Sequence, residues 1–380
     1  LLKCLILLQN KQALKNNNLK LRQMKRFTFL TFLTAAFLFS VLMITSCTKE
    51  GPAGQDGVDG AVGPAGPQGI AGEDGIDGTD GTAGCILCHT GGTAQGMFAQ
   101  VNQWEASVHA NGGNFERNTG DCATCHTSQG FLANLAGTFD GVTNNPNPIN
   151  CYTCHNIHKT FTPADLGFTT TTAVELMAGG DVFDFGKGNL CANCHQARSF
   201  TGPVIDGADF KVTSSRFGGH HGPQANILAG SGLYEFSGAE SLSPNTHASV
   251  TDGCVTCHMA DAYGIQAGGH TMGMTYEYHG ADAVWEAGCL ECHTSSDDLH
   301  ADVEATQEEV EELLHELNAL LVAAGIYNPA TGLANTGTYK ANVAAAYVNW
   351  QLIEEDRSLG VHNPNYVIGV LKNTIAKITP

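Results

Sequence analysis

Charge is scarce in this sequence, and positive charge is scarcest. Only 14% of the 380 residues are Asp, Glu, Lys or Arg, a low share for a bare globular surface. Lys and Arg number 18 against 37 acids, and seven of those 18 (Lys3, Lys11, Lys15, Lys20, Arg22, Lys25, Arg26) precede Cys47. From Cys47 onward, 11 bases face 37 acids, a balance of −26. Such a chain cannot hold DNA or RNA through phosphate contacts, which excludes a nucleic-acid partner. It suits a basic partner or a soluble, self-repelling surface. Long apolar runs are missing too: the stretch from Phe27 to Ile44 is marginal for a helix that must span about 20 residues of bilayer.

Three residue types are abundant instead, with 14 Cys, 16 His and 46 Gly. The glycines and cysteines concentrate in different segments, so the average composition hides the organisation. Residues 1–23 read as upstream sequence. From Met24, the basic pair Lys25-Arg26, the apolar run and the small residues Thr45-Ser46 before Cys47 describe a secretory signal. Leu42-Met43-Ile44-Thr45-Ser46-Cys47 resembles a bacterial lipobox, which makes Cys47 the expected lipidated first residue. A plain signal anchor and an unlipidated signal are the alternatives. Cys4 goes with the leader and needs no function.

Residues 51–84 place glycine at every third position, twelve in register from Gly51 to Gly84. Strict Gly-X-Y is the signature of a collagen triple helix, where only glycine fits beside the axis. A folded stalk implies a homotrimer and a span on the order of 100 Å at about 3 Å per residue. With only Pro52, Pro64 and Pro67 to stiffen it, a flexible tether is the alternative. Either way the segment is a spacer.

The next block carries the chemistry. Cys-x-x-Cys-His occurs six times, with the pairs Cys85 and Cys88, Cys122 and Cys125, Cys151 and Cys154, Cys191 and Cys194, Cys254 and Cys257, and Cys289 and Cys292. The histidines that follow are His89, His126, His155, His195, His258 and His293. Two thiols at this spacing add across the vinyl groups of one haem, and the adjacent histidine reaches the iron. Zinc sites or disulfides would use the cysteines but would not require a histidine after every second one. Six covalent haems c are the expected cofactors. At about 35 residues per motif there is too little protein to bury each haem separately, so the haems are expected to pack into a conductive row.

Six closed irons need six further ligands. His109 precedes the second motif, and His158 lies too close to His155 for the same iron but well placed for a neighbour. His247 precedes the fifth motif, His270 sits in Gly-Gly-His-Thr, and His362 sits in Gly-Val-His-Asn-Pro. Of the adjacent His220 and His221, one is expected to ligate; His221 is preferred, with His220 as the alternative. His279, His300 and His315 are weaker candidates.

After about residue 302 the texture turns helical. Val310, Leu313, Leu314, Leu317, Leu320 and Leu321 make one apolar stripe, behind an acidic first turn from Glu304 to Glu312. Tyr339, Val343, Ala346, Tyr347, Trp350 and Ile353 make a second. Asn363-Pro364 is expected to cap a last helix through Ile375. The expected fold class is mainly α with extensive loops: a multihaem core, long C-terminal helices, an N-terminal stalk and no large sheet. The expected divisions are 1–46 (upstream extension and signal), 47–84 (anchored stalk), 85–300 (haem domain) and 301–380 (helical region packing on it).

Three stretches resemble the multihaem cytochrome c superfamily that includes the ammonia-forming nitrite reductases: Cys254-Val-Thr-Cys-His-Met259, Gly268-Gly-His-Thr271, and Glu354 through Tyr366. The resemblance covers roughly residues 85–378 and implies a distal-ligand role for His362. Those reductases typically hold their catalytic haem through Cys-x-x-Cys-Lys, which this chain lacks. The resemblance therefore implies a shared scaffold, and function has to be argued from the site. The leading expectation is an exported electron-transfer lipoprotein of the outer membrane. It would face the cell exterior, with the periplasmic face as alternative, and serve other redox proteins or an extracellular acceptor. A multihaem reductase of nitrite, hydroxylamine or a sulfur oxyanion, and a subunit of a conductive filament, are the other readings.

Overall fold

The structure, a computed structural model, describes residue 89 and residues 97–219, 222–242 and 246–380. The leader with Cys47, the Gly-X-Y stretch, Cys85, Cys88 and the pair His220 and His221 lie outside the described residues.

Up to residue 295 the described helices are short: α1 (Phe98–Ala106), α2 (Val108–Asn111), α3 (Gly120–His126), α4 (Ser128–Leu135), α5 (Cys151–Cys154), α6 (Gly188–Ala192), α7 (Gln224–Ala229) and α8 (Cys254–His258). Gly, Thr and Asn, frequent in this part of the chain, do not favour long helices, and three of the eight helices start at a side-chain cap. Ser107 accepts from the Ala110 amide, Thr127 from the Gly130 amide, and Asn150 forms a capping box with Thr153. Between the helices run loops and antiparallel two-stranded ribbons, the widest sheets among the described residues. One ribbon pairs Phe210–Val212 with Gly337–Tyr339 and so ties the middle of the chain to its C-terminal helices.

Three longer helices follow: α9 (Ser296–Ala323), α10 (Ala341–Asp356) and α11 (Pro364–Ile378). α9 starts earlier than its apolar stripe indicated. The Ser295 hydroxyl caps the Asp298 amide, and Asp297 and Asp298 occupy the first turn. The acidic run Glu304–Glu312 therefore lies in the body of the helix, and a boundary at residue 300 passes through its early turns. Val310, Leu314, Leu317 and Leu321 are buried, each burial stabilising the fold by about 1.5–3 kcal/mol. α10 buries residues on all sides, with Ala344, Ala345, Ala346, Tyr347, Val348, Leu352 and Ile353 enclosed, because α9, α11 and the Phe210–Val212 ribbon all pack on it. The same core takes in Ala197, Val212, Phe217 and Ile227 from the middle of the chain. At α11, Pro364 opens the first turn as expected, but Asn363 does not cap it. Its side-chain amide turns inward and donates to the Ile227 carbonyl at 3.1 Å. This asparagine is 1% exposed, so its amide needs a partner inside the protein. No described helix is long and apolar enough to cross a membrane.

Candidate haem sites

Each of the five described motifs folds as a single turn, and this is what makes its spacing useful. Residues i and i+3 share one helix face, so both thiols point the same way and the histidine follows at the end of the turn. The His155, His195 and His293 amides each donate to the carbonyl of their motif's first cysteine at 2.9 Å. None of the ten described motif cysteines is paired in a disulfide.

Across from four motif histidines stands a second imidazole. Ring centres lie 6.1 Å apart for His89 and His158, and 6.0 Å for His195 and His109. They lie 6.2 Å apart for His155 and His270, and 6.2 Å for His258 and His362. An imidazole nitrogen bonds a transition metal at about 2 Å, so two rings on opposite sides of one ion have centres about 6 Å apart. Sequence separation says nothing of these partnerships, which join residues as far apart as His155 and His270.

The outward ring nitrogens have definite partners. His155 Nδ1 donates to the Leu166 carbonyl at 2.7 Å and His258 Nδ1 to the Met272 carbonyl at 2.9 Å. His195 Nδ1 donates to Gln224 Oε1 at 3.2 Å. His109 Nδ1 lies 3.0 Å from the Met272 sulfur, and His158 Nδ1 lies 3.2 Å from the Tyr152 hydroxyl. His362 Nδ1 donates to Asp356 Oδ1 at 2.7 Å. Donation from Nδ1 fixes the tautomer and leaves Nε2 with its lone pair available to a metal. His158 holds its position with φ at +60°, a left-handed conformation uncommon outside glycine, and Phe161 stacks on its ring.

Burial favours the neutral form, the one that binds a metal, in several of these imidazoles. It pulls His109 down to about 4, with help from the neighbouring His195. It also lowers His195, His258 and His270. His126 falls by burial and by the nearby Arg117. His362 is the exception: burial lowers it, but the charge and hydrogen bond of Asp356 outweigh that and raise it.

Among the other predicted ligands, His293 ends an exposed turn and faces no described ring. His247 is half-buried in the short turn Thr246–Ser249. Of the weaker candidates, His300 pairs with Glu286, His315 is exposed on α9, and His279 packs against Tyr278.

The motifs also touch one another. The thiols of Cys125 and Cys194 are within hydrogen-bonding reach, and so are those of Cys191 and Cys254. Cys154 is close enough to Cys191 and Cys194 to act on both electrostatically, and Cys289 acts in the same way on Cys257. A clamp holds the fourth and fifth motifs together. Just before the fourth, the Lys187 amide donates to Asp252 Oδ1 at 3.1 Å, and its ammonium pairs with Oδ2, just before the fifth. Gly188 permits that approach, since a Cβ there would meet the Asp252 carbonyl and the Cys254 amide at 3.1 Å.

This donor set fits haem c. It offers two thiols and an imidazole on one turn, a second imidazole across from it, and apolar side chains such as Val108, Tyr152 and Phe161 exposed beside the rings. Zinc would need several donors converging on one point, and no such group of three occurs among the described residues.

Residues 237–379 match the family model described as Cytochrome c552. Among solved structures, the crystal structure of the outer cell wall cytochrome OcwA aligns at 22% identity with a TM-score of 0.49. The alignment covers 74% of this chain and 50% of that one, so the chain spans about half of that protein. Among curated proteins no sequence match is found.

Proposed function

We propose that this multihaem c-type cytochrome holds six haems, most or all of them between two histidines, and carries electrons along them as an exported, tethered protein. The observation that carries the reading is the 6.0–6.2 Å spacing of four imidazole pairs, each made of one motif histidine and one distant histidine. Haem c, when bound, supplies reversible one-electron transfer. An iron closed by two imidazoles has no position left for a substrate, which favours transport of electrons over reduction of a small molecule.

The residues of the chain supply position and order. Nδ1 hydrogen bonds to carbonyls, an amide and a carboxylate fix the orientation of the rings. Contacts between motifs suggest the sequence of sites. The first lies beside the third, because His158 follows that motif; the third, second and fifth adjoin the fourth; and the sixth adjoins the fifth. The fourth motif is then the junction of a branched row. The lipobox-like Cys47 and the Gly-X-Y spacer support attachment to the outer membrane, with a redox protein or an extracellular acceptor as the partner. Trimerisation through the spacer is part of the same proposal.

The test is low-temperature EPR on the oxidised, haem-loaded protein, with nitrite added as a probe. Low-spin signals alone, unmoved by nitrite, are expected. A high-spin signal that shifts with nitrite would show an open iron and turn the reading toward a reductase. Intact mass fixes the haem number independently.

A further inference from the structure

One described histidine differs from its fellows in what its outer nitrogen meets. His155 and His258 donate to backbone carbonyls, His195 to a neutral amide, and His109 lies against a thioether. His362 donates to a carboxylate, Asp356 Oδ1, at 2.7 Å. Asp356 is 3% exposed, so its charge is little screened by water. Its other oxygen accepts from the Ser358 hydroxyl. Asp356 is the last residue of α10, and His362 stands just before α11. The loop between them reverses through Arg357, Leu359 and Gly360, all with positive φ. The fold therefore holds this carboxylate against this imidazole by backbone geometry, not by a flexible side chain alone.

We infer that Asp356 is a positioning residue that gives His362 imidazolate character and so makes the site shared by His258 and His362 a low-potential site. A carboxylate that draws the Nδ1 proton toward itself pushes electron density to Nε2 and raises the basicity of the ligand. A more basic ligand stabilises the ferric over the ferrous state, which lowers the potential. The neighbouring fourth motif provides the contrast. Its His195 is held by Gln224, whose amide donates to the Asp356 carbonyl at 3.2 Å. One helix end thus gives two adjacent sites a neutral and an anionic acceptor, and sets their potentials apart. This inference rests on the bis-histidine reading above.

The experiment is a potentiometric titration of the full haem-loaded chain, followed by visible absorption, with EPR on the oxidised samples. In Asp356→Asn one step is expected to move to higher potential and one low-spin signal to shift its g values, the other steps staying in place. In Ser358→Ala the carboxylate loses its second donor, pulls harder on the His362 proton, and the same step is expected to move lower. An Asp356→Asn protein that keeps all its haems and titrates like the parent overturns the inference. If that variant does not load, Ser358→Ala decides by whether its step moves down. His362→Ala separates the two levels: it should turn one low-spin signal high-spin, and an unchanged spectrum there would sink the bis-histidine reading itself.

Discussion

At the scale of single residues, the pairs of imidazoles are each replaceable one ring at a time. His270→Ala is expected to leave the third haem attached, because Cys151, Cys154 and His155 remain, but to convert one low-spin EPR signal to high-spin. Cys154→Ala should instead remove that haem, which mass spectrometry reads directly. The attachment motifs were legible in the sequence because their chemistry is local: three donors within five residues declare themselves. The facing histidines were legible only as candidates. His109, His158, His270 and His362 could be named, yet nothing in the sequence says that His109 faces His195, not the nearer His126. Asp356 was missed altogether. The signal that could have found it is its place six residues before His362, at the end of an apolar helix where a buried acid needs a partner.

At the scale of elements, short turns carry the donors and long helices carry the stability. Leu317 is fully buried in the core between α9 and its neighbours, so Leu317→Ala should cost about 2–5 kcal/mol, read as a fall in thermal midpoint with haem content unchanged. The Lys187–Asp252 clamp makes a pH prediction. Lys187 hydrogen bonds hold the Asp252 carboxyl below its ordinary value. Its folded-state value is thus lower than the unfolded one, so its contribution is present above the unfolded value of 3.8 and fades as pH falls through the folded value. Asp252→Asn should therefore flatten the acid-unfolding curve below about pH 4, and leave the curve near neutral pH displaced by a constant. The stripes of α9 and α11 were readable because amphipathic helices show a period. The start of α9 was not, since Ser295 caps a polar turn in which Leu299 stands well before the apolar stripe that begins at Val310. The inward turn of Asn363 was not readable either, because the carbonyl it satisfies belongs to Ile227, far away in sequence.

At the scale of the whole molecule, the excess of acid over base makes a basic redox partner the natural complement. Electron exchange with such a partner should slow steeply as ionic strength rises, while exchange with a neutral small-molecule mediator should hardly change. Stopped-flow reduction across a salt series separates the two. Equal salt dependence for both would show that the acidic surface does not steer the partner.

The sequence by itself determined the cofactor and its means of attachment, because a thioether-linked haem needs its donors on one turn, and spacing along the chain is all that requires. It also determined the charge that restricts the partners, and the apolar periodicity that builds the C-terminal helices. Which histidine faces which motif, which motifs touch, and which imidazole meets a buried carboxylate were decided only by the tertiary structure. The facing imidazoles come from segments far apart along the chain, as with His155 and His270, and they meet only because the packed helices and the clamped loops bring the chain back upon itself.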